Sequence, residues 1–468
     1  MGGFFGVVAD EPCIQDLFYG TDYHSHLGTR RGGMAVYHPD GFRRKIHKIE
    51  NTQFRSKFEE ELSIFRGNMG IGVISDYEDQ PLLIASHLGN YALATVGVIN
   101  NLDSLAHKAL TNHRGHFTEM NLNAINPTEL IASIINQGDT WVEGIAKVQD
   151  SVQGSCSLLL VTEEGIYAAR DKLGRTPVVL GEKAGKFAIA SESSALPNLG
   201  YTPVKYLGPG EIVRVSLQGY ETVKQPGKEM QICSFLWIYY GYPAASYEDI
   251  NVEQVRYQCG AALARKDDVD IDLVSGIPDS GIAHALGYAA EAKVPYRRPF
   301  VKYTPTWPRS FMPQNQGDRD LIASMKLIPI RKLIQGQRML LCEDSIVRGT
   351  QLKHFIQRLY EYGAQEVHMR VACPPLLYGC KFLNFSRSRS EMDLAARKAV
   401  SELSGDQKVD LNKYSDPDSP EYKEMVERIR QRLGLSTLKY LNLNDMQEAI
   451  GLPSSHLCTF CWSGKEHA

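Results

Sequence analysis

Apolar positions follow two different rhythms along this chain. Up to about Val223 they come as short runs separated by glycine-rich turns, and such runs read as strands. Phe4–Val8, Met34–Tyr37, Gly70–Ser75, Leu158–Thr162 and Lys186–Ala190 are the clearest. Two helices fit between them, Asp103–Leu110 and Pro127–Asn136. The second opens on proline, which at a first helical position loses no hydrogen bond. The chain leaves this region around Gln225–Ile232, and strands then alternate with helices. Asp270–Ile277 reads as a buried strand, followed by Pro278-Asp279-Ser280-Gly281 and a helix from about Ile282. The run Met339–Cys342 reads as a strand that ends on two carboxylates, Glu343 and Asp344, before a turn closing on Gly349 and Thr350. Leu352, Phe355, Ile356, Leu359 and Tyr360 then form one apolar stripe at helical spacing, Gly363 ends the helix, and Glu366–Ala372 reads as the next strand.

Strand–loop–helix units place their loops at the carboxyl edge of a parallel sheet, where open α/β sheets bind ligands. Backbone N–H groups at the helix starts can hold phosphate. The two carboxylates suit a sugar diol and Mg²⁺, a hard cation that takes oxygen ligands. In the loop Asp279-Ser280-Gly281, Gly281 allows close approach of backbone to phosphate. The Ser280 hydroxyl suits either a metal or a helix N-cap. Pro299–Pro329 is a long stretch rich in Pro, Gly and Gln, of the kind that is functional or mobile inside a compact domain. Its Lys302, Arg309, Arg319 and Lys326 are candidates to neutralise phosphate charge, against a plain reading as solvated charges.

Length and composition narrow the class. The 468 residues imply two or more domains, and 43% hydrophobic with 22% charged residues is ordinary for a globular protein. A net charge of −3 gives no case for nucleic acid or membrane binding. No apolar run approaches the roughly 18 residues of a membrane span. The start, Met-Gly-Gly-Phe-Phe-Gly, lacks a basic n-region, which sets the expectation of a cytoplasmic protein. Nine cysteines, an odd number, point to a reducing compartment and to thiol or metal chemistry. Cys458-Thr459-Phe460-Cys461 is a C-x-x-C, open by itself to zinc, iron–sulfur or redox readings.

The strand, the paired acids and the turn resemble the phosphoribosyl pyrophosphate (PRPP) signature of type I phosphoribosyltransferases. Asp344-Ser345-Ile346-Val347-Arg348-Gly349-Thr350 is similar in detail to the amidophosphoribosyltransferase family, with Glu343 where the family has Asp. Ile277-Pro278-Asp279-Ser280-Gly281 and Ala285–Ala289 resemble the same family's pyrophosphate loop. Lys302 matches its Phe-Val-Lys, and Arg309-Ser310-Phe311 resembles its Arg-Thr-Phe, whereas Tyr303-Thr304-Pro305 departs from it. The resemblance implies PRPP binding by Asp279, Ser280, Gly281, Lys302, Glu343, Asp344, Ser345, Arg348, Gly349 and Thr350. It implies Mg²⁺ at Ser280, Glu343 and Asp344.

The first half resembles the family's glutaminase domain, an α+β N-terminal-nucleophile sandwich of the class II glutamine amidotransferase type. Gly67–Gly72, Tyr167–Asp171, Leu173-Gly174, Ala190–Ser193 and Pro209–Glu211 carry the likeness. The family's catalytic positions depart from it. Gly2 stands where the family has its nucleophilic cysteine, and a glycine offers no thiolate. His26-Leu27-Gly28 replaces His-Arg-Gly, Ser75 the arginine for the substrate carboxylate, Ile99-Asn100 the oxyanion pair, and Pro127 the aspartate for the substrate amine. The rival, that processing exposes Cys13 as the nucleophile, conflicts with Gly3–Val8 already filling the strand that follows it.

Cys233 and Cys380 match two further family cysteines, and the ending Leu-Cys-x-x-Cys-x-x-Gly is shared. Four thiolates suit tetrahedral zinc or a [4Fe–4S] cluster. In the cluster-bearing branch Cys233, Cys380, Cys458 and Cys461 would hold [4Fe–4S] as a structural tie. Cys13, Cys156, Cys259, Cys342 and Cys373 are read as ordinary thiols, and Ser404–Gln431 as a charged insertion.

The expected layout is an inactive class II glutamine amidotransferase-like domain over 1–228, an α/β type I phosphoribosyltransferase domain over 229–390, and a C-terminal helical tail over 391–468. The expected function is transfer of ammonia to PRPP, giving 5-phosphoribosylamine and pyrophosphate in purine biosynthesis. The nitrogen would come from free ammonia or a partner, and the chain would be a homo-oligomer. The alternative is a non-catalytic PRPP- or nucleotide-binding paralogue that regulates an active amidotransferase. A weaker third is a phosphoribosyltransferase using another nucleophile.

Overall fold

A computed structural model describes residues 2–112, 116–121, 124–302, 327–383, 390–405 and 409–466. The first half stacks two antiparallel sheets. One has seven strands, in the order Thr202–Tyr206, Val179–Lys183, Lys186–Ala190, Gly3–Val8, Met69–Ser75, Arg31–His38 and Gly41–Lys48. The other has six: Gly219–Lys224, Ile212–Ser216, Gly165–Ala169, Gly154–Thr162, Gly89–Ile99 and Leu82–Ser86.

Side-chain alternation explains why Gly3–Val8 is apolar throughout. Phe4 and Val8 point into the layer between the sheets with Ile71, Val73, Leu159 and Val161. Phe5 and Val7 point the other way, onto Leu17 and Phe18 of the helix Ile14–Tyr23. Both faces of the strand are covered, so neither carries polar residues. Helices Pro127–Ile135 and Trp141–Ser151 cover the outer face of the six-stranded sheet. Pro127 is the first helical residue, and the Asn126 side chain accepts from Thr128 N.

The second half is built on a parallel sheet in the order Leu273–Gly276, Arg338–Glu343, Glu366–Val371 and Thr437–Tyr440. Helices Val252–Arg265, Gly281–Ala292, Thr350–Glu361 and Pro420–Leu433 pack with it into one core that runs from Ile232 to Trp462. The segment expected as a helical tail therefore also supplies the fourth strand of this sheet. Phe300–Lys302 pairs antiparallel with Leu327–Pro329. Arg309, Ser310, Phe311, Arg319 and Lys326 lie outside the described residues.

One buried ion pair pins the sheet to the helix Val252–Arg265. Asp267, just past the helix, accepts from Arg370 Nη2 at 2.9 Å, from Tyr288 Oη at 2.7 Å and from Lys439 Nζ at 2.9 Å. Burial alone would raise its pKa, but the hydrogen bond and charge of Arg370, helped by Lys439 and Tyr288, outweigh that and hold the carboxyl well below the usual range. Such a group stabilises the fold above its unfolded pKa, and that stability is lost as pH falls through the lower folded value. Asp267→Asn is expected to destabilise the chain by roughly 3 kcal/mol at pH 7, because it leaves Arg370 buried without its counter-charge. Thermal midpoints of variant and parent should converge only as pH drops below about 4. A gap that stays constant over that range would contradict the assignment.

Candidate functional site

Two loops meet at the carboxyl edge of the parallel sheet. Leu273–Gly276 runs beside Arg338–Glu343 with Gly276 opposite Cys342. Ile277 N donates to Cys342 O at 2.9 Å, and Gly281 N to Ile277 O at 2.8 Å, which folds the Pro278–Gly281 loop back on itself. The Pro278–Asp279 peptide is cis. Gly281 must be glycine here, since a Cβ would stand 2.4 Å from Cys342 O and 3.4 Å from Glu343 Cα. A Cβ at Gly276 would stand 2.4 Å from Gly281 O. The helix Gly281–Ala292 thus starts directly against the residues that carry the two acids.

Ser280 precedes this helix in helical conformation, and its side chain makes no capping bond. The hydroxyl is not consumed by the helix end, the simpler use that the sequence allowed. Lys302 reaches across from its own short strand to pair with Asp279. Asp344 is buried and accepts from Ser345 Oγ at 2.6 Å. Glu343 is half-buried beside it, and its Oε1 accepts from Asp344 N at 3.3 Å. Burial, and then the charge and hydrogen bond of Asp344, push the Glu343 carboxyl well above the ordinary range. Two carboxyls in one site disfavour double ionisation, and a cation placed there would reverse that effect.

The second loop ends on Gly349, whose φ of +75° favours glycine. Thr350–Glu361 follows, with Phe355, Ile356 and Leu359 buried as the stripe required. Arg348 is exposed, with Nη2 3.7 Å from Asp393. The N–H groups of this helix's first turn open toward the same edge as those of Gly281–Ala292.

In the sandwich, Gly2 is walled in, and polar side chains near the other candidate glutaminase positions are engaged in bonds of their own. Gly2 is buried, and a Cβ there would stand 2.1 Å from Ile74 O. Asn101 is tied at both ends, donating to Ser151 O and accepting from Gln153 N, each at 2.9 Å. The Gln80 carboxamide bonds both backbone groups of Thr95, at 2.8 and 3.0 Å. His26 Nε2 stands 2.5 Å from Glu192, which also accepts from Tyr242 N at 2.6 Å and Tyr247 Oη at 3.0 Å. Tyr240 Oη donates to Leu27 O at 2.7 Å. Leu236, Tyr240 and Tyr247 of the second half thus close a small hollow beside Gly2. Cys13 lies in the outer core, and burial pushes its thiol up to about 12. Exposing it as a terminus would also remove Gly3–Val8, which has neighbours on both sides.

The cysteines fall into two groups. Cys13, Cys156, Cys259, Cys342 and Cys373 are buried singly. Cys233, Cys380, Cys458 and Cys461 line one hollow, with Phe235, Phe382, Phe460 and Trp462 as its apolar wall. Parallel pairing of Ile232–Cys233 with Leu457–Cys458 sets Cys233 opposite Cys458. Leu377 N and Tyr378 N both donate to Cys461 O at 3.1 Å, which holds the chain before Cys380 against the C-x-x-C turn. Gly464 ends that turn with φ +69°, and a Cβ there would stand 2.5 Å from the Tyr378 ring. Leu383 N donates to Cys380 Sγ at 3.4 Å and Arg175 Nη1 to Cys458 Sγ at 3.0 Å. Hydrogen bonds to sulfur suit thiolate ligands. Among the described residues no group of three or more His, Cys, Asp or Glu side chains stands close enough together to hold a metal ion. Arg175 escaped the sequence reading, although it directly follows Leu173-Gly174.

A sandwich of the glutamine amidotransferase type joined to a phosphoribosyltransferase-like sheet defines a two-domain amidotransferase architecture. A family model described as a glutamine amidotransferase domain matches residues 66–198. The amidophosphoribosyltransferase of Mycobacterium tuberculosis is 30% identical over 478 residues, covering 99% of this chain and 85% of that protein. That of Synechocystis is 29% identical over 479 residues, covering 99% and 90%. The solved glutamine PRPP amidotransferase of B. subtilis, complexed with ADP and GMP, superposes with a TM-score of 0.85 at 27% identity, covering 99% of this chain and 96% of that one. The chain belongs to the amidophosphoribosyltransferase family of purine biosynthesis.

The closed packing at Gly2 can be probed directly. Gly2→Ala and Gly2→Cys are each expected to cost about 1–3 kcal/mol through overpacking against Ile74, read as a lower thermal midpoint. Gly2→Cys is also expected to release no glutamate from glutamine. A stable Gly2→Cys variant with glutaminase activity would show that the position still accepts a nucleophile.

Proposed function

We propose that this chain transfers ammonia to PRPP, giving 5-phosphoribosylamine and pyrophosphate, and that it does not hydrolyse glutamine itself. The observation that carries the reading is the convergence of Asp279–Gly281 on Glu343–Asp344, while Gly2 is packed without room for a side chain. The nitrogen lone pair would form the bond to the anomeric carbon as the bond to the pyrophosphate oxygen breaks. Pyrophosphate leaves with that electron pair, and the new ammonium then loses a proton.

In this reading the backbone N–H groups at Gly281 and at Gly349-Thr350 receive the phosphates, with Ser345 and Arg348 along the second loop. Lys302 would exchange its pairing with Asp279 for pyrophosphate oxygens. Asp344 and Glu343 orient the ribose hydroxyls and stabilise positive charge developing at the anomeric carbon. Mg²⁺ held by Ser280, Glu343 and Asp344 would supply charge screening for the leaving pyrophosphate. The raised Glu343 carboxyl and the uncapped Ser280 hydroxyl fit that ion. A [4Fe–4S] cluster on Cys233, Cys380, Cys458 and Cys461 would act structurally, tying together an inactive amidotransferase-like domain (1–228), the transferase domain (229–390) and the tail (391–468).

With PRPP and Mg²⁺ present, pyrophosphate release is expected with ammonium and not with glutamine. Asp344→Asn should lower the ammonium-dependent rate by roughly 100-fold, the scale for losing one preorganised electrostatic group. Release driven by glutamine in the purified chain would overturn the nitrogen-source assignment. Tight PRPP binding without release under either condition would favour a regulatory paralogue.

A further inference from the structure

Arg175 belongs to the first half of the chain, yet its side chain ends in the second. It is 2% exposed. Its Nη1 donates to Cys458 Sγ at 3.0 Å, and its guanidinium carbon lies 3.5 Å from the centroid of the Phe382 ring. Its backbone carbonyl accepts from Cys233 N at 3.2 Å, so the same residue touches two of the four cysteines that face the hollow. Its Nε has no hydrogen-bond partner among the described residues.

Arginine keeps its charge at any accessible pH. Burying that charge costs several kcal/mol unless an anion stands against it. The Phe382 face offsets only a small part of that cost. Among the described residues the groups that meet the Arg175 guanidinium are a sulfur and an aromatic ring, and neutral thiols in the hollow would leave it uncompensated. Four thiolates around a [4Fe–4S]²⁺ core, or around Zn²⁺, carry a net double negative charge and supply the missing partner.

We infer that Arg175 is the charge partner of the metal centre at Cys233, Cys380, Cys458 and Cys461, and that through it the first half of the chain helps retain that centre. The inference rests on the cluster reading given above and adds to it a positioning residue from outside the ligand set. The hydrogen bond and positive charge beside Cys458 favour the more negative, reduced state of a cluster. Arg175 and Phe382 also stack on each other in the lining of the hollow.

The test uses the full chain, purified without oxygen, as parent, Arg175→Gln and Arg175→Lys. Iron, sulfide and zinc per chain are measured first, then the midpoint potential by spectroelectrochemistry and the rate at which a chelator removes iron. Arg175→Gln is expected to shift the potential to more negative values and to release iron several-fold faster. Arg175→Lys, which keeps a charge but loses the planar stack on Phe382, should fall between the two. Equal potentials and equal release rates in parent and Arg175→Gln would overturn the inference while leaving the cluster reading intact. Where Arg175→Gln gives no folded protein, Arg175→Lys decides, and values identical to the parent's overturn it. A parent carrying zinc overturns the cluster reading alone, and faster zinc release from Arg175→Gln then upholds Arg175 as charge partner. A parent holding neither metal overturns both.

Discussion

The second half of this molecule depends on a close approach of backbone to backbone. Gly276 and Gly281 carry no Cβ, and so the start of the helix Gly281–Ala292 can lie against Cys342 and Glu343. Without that contact the Pro278–Gly281 loop would be pushed away from the end of the neighbouring strand. The phosphate-type loop and the paired acids would then no longer share one edge. The parallel register, with Gly276 opposite Cys342, makes the approach possible, and the sheet's buried Met339, Leu340 and Leu341 fix that register. A ligand that needs phosphate contacts and diol contacts together is bound only if this packing holds.

The two halves have different relations to chemistry. The sandwich has an apolar layer between its sheets and helices on both outer faces. Its polar residues near Gly2 bond to one another or to the second half instead of facing an open cleft. Glu192 holds the Tyr242 backbone and the Tyr247 hydroxyl, Arg170 pairs with Glu248 at 2.7 Å, and Ser193 accepts from Ser246 N at 2.8 Å. These contacts make the sandwich a rigid support for residues 236–248. Arg256 continues that support inward, donating to the carbonyls of Trp237, Tyr239 and Gly241 at 2.9 to 3.0 Å.

Local signals were readable in the sequence, and contacts between distant residues were not. The strand Lys186–Ala190, the Pro127 helix start and the strand–acids–turn–helix run from Arg338 to Glu361 are each specified by a few adjacent residues. Thr437–Tyr440 was missed because four residues after a long helix carry too little pattern to show pairing with Glu366–Val371. The Lys302–Asp279 pair spans 23 residues and that of Arg175 with Cys458 spans 283, so neither has a sequence period to reveal it. The convergence of the four cysteines was legible only by resemblance. Its physical cause is the parallel pairing of Ile232–Cys233 with Leu457–Cys458, which spacing along the chain does not encode. Ser280 illustrates the opposite case, in which sequence left capping and ligand binding equally open and the helix end then left the hydroxyl uncapped.

The central claim is that the edge formed by Asp279–Gly281 and Glu343–Asp344 grips an activated sugar phosphate. Equilibrium titration of the full chain with PRPP, in a calorimeter and with or without Mg²⁺, tests it most directly. The account predicts one saturable site per chain that tightens when Mg²⁺ is present. A folded chain that gives no PRPP binding signal with Mg²⁺ would contradict it.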